Sequence, residues 1–315
     1  MSYRTTAFSI FALAGLVTVQ SARPATVSFT PLPFGRANGV NNAAQVAGGT
    51  IGGEDVIGLV FINGNIVRIQ VPNSVQTNVN GINNNGQIVG SYYTSENHGT
   101  SGFLFFQGNT TVIQFPAPNV STVCERINDA QQIVGYFTDP AGVNHAFLFD
   151  SGTYTQIDVP DASSTIAYGI NSSGEIVGAY IDSSGHQHGF LFSRDTGSFS
   201  TIDVPFEGAT ETTVFGINGS STIVGSYVDS AGTHGFVDIG GVFTGIDAPE
   251  TPGTIGTYLR GISDNNLLAI FGNGGFLGTL SPGSSGSRSA AKPTASTVRR
   301  TAPALLSRNS ASHPR

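Results

Sequence analysis

The chain has 315 residues, of which only 10% are charged, and a formal net charge of −7. That length holds one large domain or two small ones. Between Pro24 and Leu280 the only bases are Arg36, Arg68, Arg126, Arg194 and Arg260 against all 20 acids, a net charge of −15. Such a surface repels nucleic acid and anionic membranes, and a single cysteine, Cys124, excludes an intramolecular disulfide.

In chain order, the first element is a leader. Arg4 precedes an apolar run of 13 residues, Ala7 to Val19, too short to span a bilayer as a helix. The small residues Ser21 and Ala22 follow, just before Arg23-Pro24, so residues 1–22 read as a signal peptide and the mature chain as exported. No membrane insertion is expected once the leader is removed. The location expected is extracellular, with the periplasm or cell surface as variants of it.

Next comes a lone strand pattern, Ala25 to Pro33, and then six copies of one unit. The anchors are Gly39-Val40-Asn41, Gly81-Ile82-Asn83, Ile127-Asn128, Gly169-Ile170-Asn171, Gly216-Ile217-Asn218 and Gly261-Ile262-Ser263. Their central apolar residues are spaced by 42, 45, 43, 47 and 45. A period of roughly 40 to 50 residues built of short strands is the pattern of a β-propeller, one blade per repeat. The fourth copy is the clearest: Thr165–Ile170, Glu175–Tyr180, His188–Phe192 and Ser198–Val204 are strands separated by Asn171-Ser-Ser-Gly174, Asp182-Ser-Ser-Gly185 and Asp195-Thr-Gly197 turns.

The sixth copy lacks a fourth strand, and Ala25–Pro33 resembles the fourth strand of the others (Tyr154–Pro160). The expected fold is therefore all-β: a six-bladed propeller of four-stranded antiparallel blades over residues 26–280. The N-terminal strand completes the last blade, and closing the ring removes exposed edges. Residues 281–315 form a basic Ser/Pro/Arg-rich tail that cannot bury enough apolar surface to fold.

The third strands carry His145-Ala-Phe147, His188-Gly-Phe190 and His234-Gly-Phe236, alongside Gly-Ile-Asn-x-x-Gly-x-Ile-Val-Gly and Ile-Asp-Val-Pro. Together these resemble the HAF-type extracellular repeat family of bacteria, over about residues 26 to 280. Ile57, Ser101 and Gly274 replace the histidine in the degenerate copies. The resemblance implies export and a repeat fold, and it implies no activity or site.

Residues that recur once per blade read as structural, because an active site needs unlike groups at one place. This applies to His145, His188 and His234, to the turn residues Asp139, Asp182 and Asp229, and to Asp158, Asp203 and Asp247. His186-x-His188 is a weak metal signal with no third ligand in view, so no metal or cofactor is expected. What varies is the position two before each anchor: Asn38, Asn80, Glu125, Tyr168, Phe215 and Arg260. If this strand is innermost, those six ring the channel mouth with amides, charges and aromatics suited to a polar ligand. Arg126 replaces glycine in the third anchor alone. Because adjacent strand residues point to opposite faces, Glu125 and Arg126 are not expected to serve one ligand, and Arg126 is expected to pair with a carboxylate on a neighbouring blade.

The function expected is a secreted, non-enzymatic, monomeric binding scaffold whose partner is a glycan or an extracellular protein. The absence of Trp weakens the glycan option. Two other readings stand beside it: a glycan-cleaving hydrolase using Glu125, Glu211 and Glu250, and a structural surface repeat protein. Intact-mass analysis of the exported chain should show a new N-terminus next to Arg23. Retention of Met1 through Val19 would rule out a cleaved leader.

Overall fold

In the computed structural model, described for residues 24–50, 57–95, 99–249, 256–272 and 274–283, every regular element is a strand. The leader and all but three residues of the tail lie outside these limits, as does Glu250. The strands form six four-stranded antiparallel sheets, the blades of a propeller. In blades 1 to 5 the chain runs outward from an inner strand: Arg36–Val40, Gln76–Ile82, Ser121–Ile127, Ser164–Ile170 and Glu211–Ile217. In blade 6 the inner strand is Tyr258–Ile262, and the outermost strand is Thr26–Pro31, paired to Gly274–Ser281 as expected.

The core sits between blades rather than within them. Cys124, Ile127 and Phe147 of blade 3, for example, pack with Val89 and Ile113 of blade 2 in one buried cluster. Cys124 is fully buried as a small apolar residue. At the foot of this packing, Phe103, Phe147, Phe190 and Phe236 have no exposed surface. Phe190 lies across from Gly178, and a Cβ there would run into the Ile166 carbonyl oxygen and lie 2.7 Å from the Phe190 ring. The glycine is thus a condition of burying the ring.

The turn after each inner strand ties the blades together. The Asn171 side-chain oxygen accepts the Glu175 N–H at 2.9 Å, while its amide nitrogen donates to the Asn218 carbonyl of the next blade at 3.2 Å. Asn41, Asn83 and Asn128 donate in the same way at 3.0 Å. Ser263 stands in the sixth place, and there the seam is bridged instead by the Asn265 amide donating to the Asn42 carbonyl at 3.1 Å. Glycine closes only two of these turns in the left-handed region (Gly86 and Gly174). Ala44, Gln131, Ser221 and Asn266 adopt it elsewhere. At Asn41, Asn83 and Asn218 the side-chain oxygen holds two N–H groups of the turn, which over-determine it and carry the strain.

Gly178→Ala should destabilise the fold by about 1–3 kcal/mol through overpacking against fixed backbone, read as a lower denaturation midpoint. An unchanged midpoint would show that the Phe190 layer has slack.

Candidate functional site

The inner strands converge so closely that their anchor residues touch. A Cβ on Gly169 would lie 3.1 Å from the Gly216 Cα, and one on Gly261 would lie 3.4 Å from the Gly39 Cα. Five of the six waist positions are glycine and the sixth is Arg126, whose side chain fills the hole the others leave. Its guanidinium donates to the carbonyls of Asn80 (2.7 Å), Asn38 (3.0 Å) and Arg260 (2.6 Å), spanning blades 2, 1 and 6. Arg126 therefore pairs with backbone, not with the carboxylate expected from the sequence. Aligned carbonyls at a closed waist are the acceptors within its reach. Burial lowers Arg126 to about 10, still charged at neutral pH.

One residue before each waist position, every inner strand carries a β-bulge. The register shifts across Ala37/Gly39, Val79/Gly81, Cys124/Arg126, Ala167/Gly169, Val214/Gly216 and Leu259/Gly261. The extra residue is Asn38, Asn80, Glu125, Tyr168, Phe215 or Arg260, the six variable positions. A bulge re-aims its side chain and suspends the two-residue alternation. All six line one cavity of about 330 Å³ above the waist. Glu125 and Arg126 both reach it, which corrects the expectation that neighbours must face apart.

The wall is uneven. Toward blades 4 to 6, Tyr168 and Phe215 meet edge to face at 5.1 Å, and the Arg260 guanidinium lies over the Phe215 ring at 4.6 Å. Toward blades 1 to 3 lie amides and the carboxylate. The Asn38 and Asn80 side chains donate to the Val79 and Cys124 carbonyls at 2.8 and 3.0 Å. Burial pushes the Glu125 carboxyl above the ordinary range, opposed by Arg260 and then Arg126. No hydrogen bond or ion pair engages that carboxyl among the described residues. Burial also raises Tyr136, to about 12, and Tyr168, so both phenols stay neutral.

Several lining residues escaped the sequence reading. Arg36, Asn78 and Val123 stand two positions before the bulge and so share its face, and Tyr136 comes from the second strand of blade 3. The clue was the period of two, counted back from the variable position. Glu125 is the cavity's sole carboxylate among the described residues, while Glu211 is exposed and does not line it. The carboxylate pair required for glycan cleavage is not assembled by these two.

The recurrent histidines have a different setting. His145 Nδ1 meets Asp158 at 2.7 Å and its Nε2 faces Asp139 at 3.6 Å, with the ring stacked on Phe137. His188 repeats this with Asp203, Asp182 and Tyr180, and His234 with Asp247, Asp229 and Tyr227. Each clamp joins a turn to the strand end leading to the next blade. Backbone N–H donors lower the turn aspartates, Val143 foremost at Asp139. For His234, burial would lower its proton affinity, but Asp247 and Asp229 outweigh it and raise it. Among the described residues no group of three or more His, Cys, Asp or Glu side chains is arranged to hold a metal ion.

No known protein family matches the chain, and no curated protein does. Similar solved structures include the SapL1 lectin in complex with α-methyl fucoside, at 15% identity and TM-score 0.48, covering 78% of this chain and 87% of that one. TolB from Acinetobacter baumannii has 11% identity and TM-score 0.49, covering 64% of this chain and 50% of that one. A gluconolactonase from Xanthomonas campestris has 12% identity and TM-score 0.46, covering 84% of this chain and 99% of that one.

An acid raised in the folded state binds its proton more tightly there, so ionising it costs folding free energy as pH rises from the unfolded carboxylate value of about 4.3. The stability advantage of Glu125→Gln over the wild type should therefore grow from about pH 4 upward and level off above the folded value of Glu125. Denaturant midpoints across that range test this, and a pH-independent difference would show that Glu125 is well solvated.

Proposed function

We propose that this protein is an exported binding propeller that captures a small polar ligand in the cavity at the mouth of its channel. The observation that carries the reading is the convergence of six residues of five types, each re-aimed by a bulge, on one concave site built over an otherwise regular ring. Regular positions hold the fold, and the irregular ones meet here. A cavity of about 330 Å³ is at the small end of ligand pockets, with a few polar groups to orient a ligand and rings to stack on it. Asn38 and Asn80 each give one N–H to the framework, which fixes the amide and leaves its carbonyl oxygen to accept from a ligand. The rigid glycine waist and Arg126 form a floor that costs little to order on binding.

Melting of the full mature chain, followed against neutral hexosides, amino sugars, hexuronates and free amino acids, tests the reading. At least one class should raise the melting temperature, and Tyr168→Ala and Asn80→Ala should each weaken its binding by about tenfold or more. A panel without effect, or affinities untouched by both substitutions, would overturn it.

A further inference from the structure

The distribution of charge narrows the ligand. Of the five bases between Pro24 and Leu280, three (Arg36, Arg126 and Arg260) line this one cavity, and of the 20 acids only Glu125 does among the described residues. An acidic protein has thus gathered its positive charge around a single concave site, which focuses the field on an anion.

The three arginines are not equivalent. Arg126 is committed to three carbonyls. Arg260 lies over the Phe215 ring while its Nε is buried without a hydrogen-bond partner among the described residues. Arg36 lies over the Phe271 ring at 5.7 Å. Neither Arg36 nor Arg260 forms an ion pair or donates a side-chain hydrogen bond among the described residues. A stacked guanidinium is a preorganised planar fork, and its natural complement is a planar carboxylate. A compact cation would sit beside two or three guanidinium groups with one carboxyl to offset them. The remaining wall, with the free amide oxygens of Asn38 and Asn80, the Ser91 hydroxyl and the Tyr168 ring, suits hydroxyl groups and the C–H face of a sugar.

Resting on the binding reading above, we infer that the ligand is an acidic sugar, a hexuronate whose carboxylate is held by Arg260 and Arg36 and whose hydroxyls face the blade 1 and 2 wall.

Calorimetric titration of the full mature chain with glucuronate, galacturonate, methyl glucoside and glucosamine tests this. At least one uronate should bind about tenfold or more tightly than methyl glucoside, and its affinity should fall as salt rises from about 0.05 to 0.3 M. Arg260→Gln should cost that uronate about tenfold or more, a larger loss than for any weak binding of methyl glucoside. Arg68→Gln, on the exposed outer strand of blade 1, should cost nothing. Should Arg260→Gln fail to fold, Arg36→Gln on an exposed side chain and the salt dependence serve in its place. Equal or tighter binding of methyl glucoside or glucosamine would overturn the acidic-sugar inference while leaving a binding cavity. Silence from both uronates would overturn it too, and the Tyr168 and Asn80 variants would then judge the cavity itself.

Discussion

The closeness of the six inner strands at the channel waist sets the terms for everything around it. With backbone packed against backbone, a side chain at the waist has nowhere to go but the axis itself, and the axis has room for one. Glycine at five positions and Arg126 at the sixth is one solution to that crowding. The guanidinium also satisfies three carbonyls from the consecutive blades 6, 1 and 2, an arrangement that removes a desolvation penalty and adds charged hydrogen bonds.

The bulges belong to the same constraint. The strand must deliver a side-chain-free residue to the axis and still present apolar residues to both neighbouring blades. An extra residue in the inner strand reconciles the two demands, and its side chain has only the channel mouth to occupy. A structural repeat thereby generates a ring of positions on which packing places few demands, and there Asn, Glu, Tyr, Phe and Arg replace one another from blade to blade. Positions fixed by folding and positions that line the cavity occupy alternate residues of one strand.

The blades, their order and the closure by Ala25–Pro33 were legible because turns and strand periods are local. The mouth was legible only as a position that varies. The bulge itself left a trace: Ala37 and Val40 are both buried, as are Val79 and Ile82, and a spacing of three cannot lie on one face of a regular strand. The acceptors for Arg126 were not legible, since backbone carbonyls gathered from three blades have no sequence signature. The histidine clamps could have been found by their joint loss. Where Ser101 and Ile57 replace histidine, the position facing the clamp carries Gln114 and Gln70 in place of aspartate, and beside Gly274 it is Pro33.

The pairing of Thr26–Pro31 with Gly274–Ser281 has a consequence for the life of the chain before it is folded. The first strand of the ring to be synthesised finds its partner only when the last has emerged, so Val27 must wait for Leu280 through the making of the whole ring. Blades can form in sequence behind it, but closure comes as a final, long-range step of the kind that slows folding. Until then a ribbon of unpaired backbone at each end of the nascent protein is open to proteases and to other chains. A polypeptide of this design completes its ring only once Gly274–Ser281 is free to meet Thr26–Pro31.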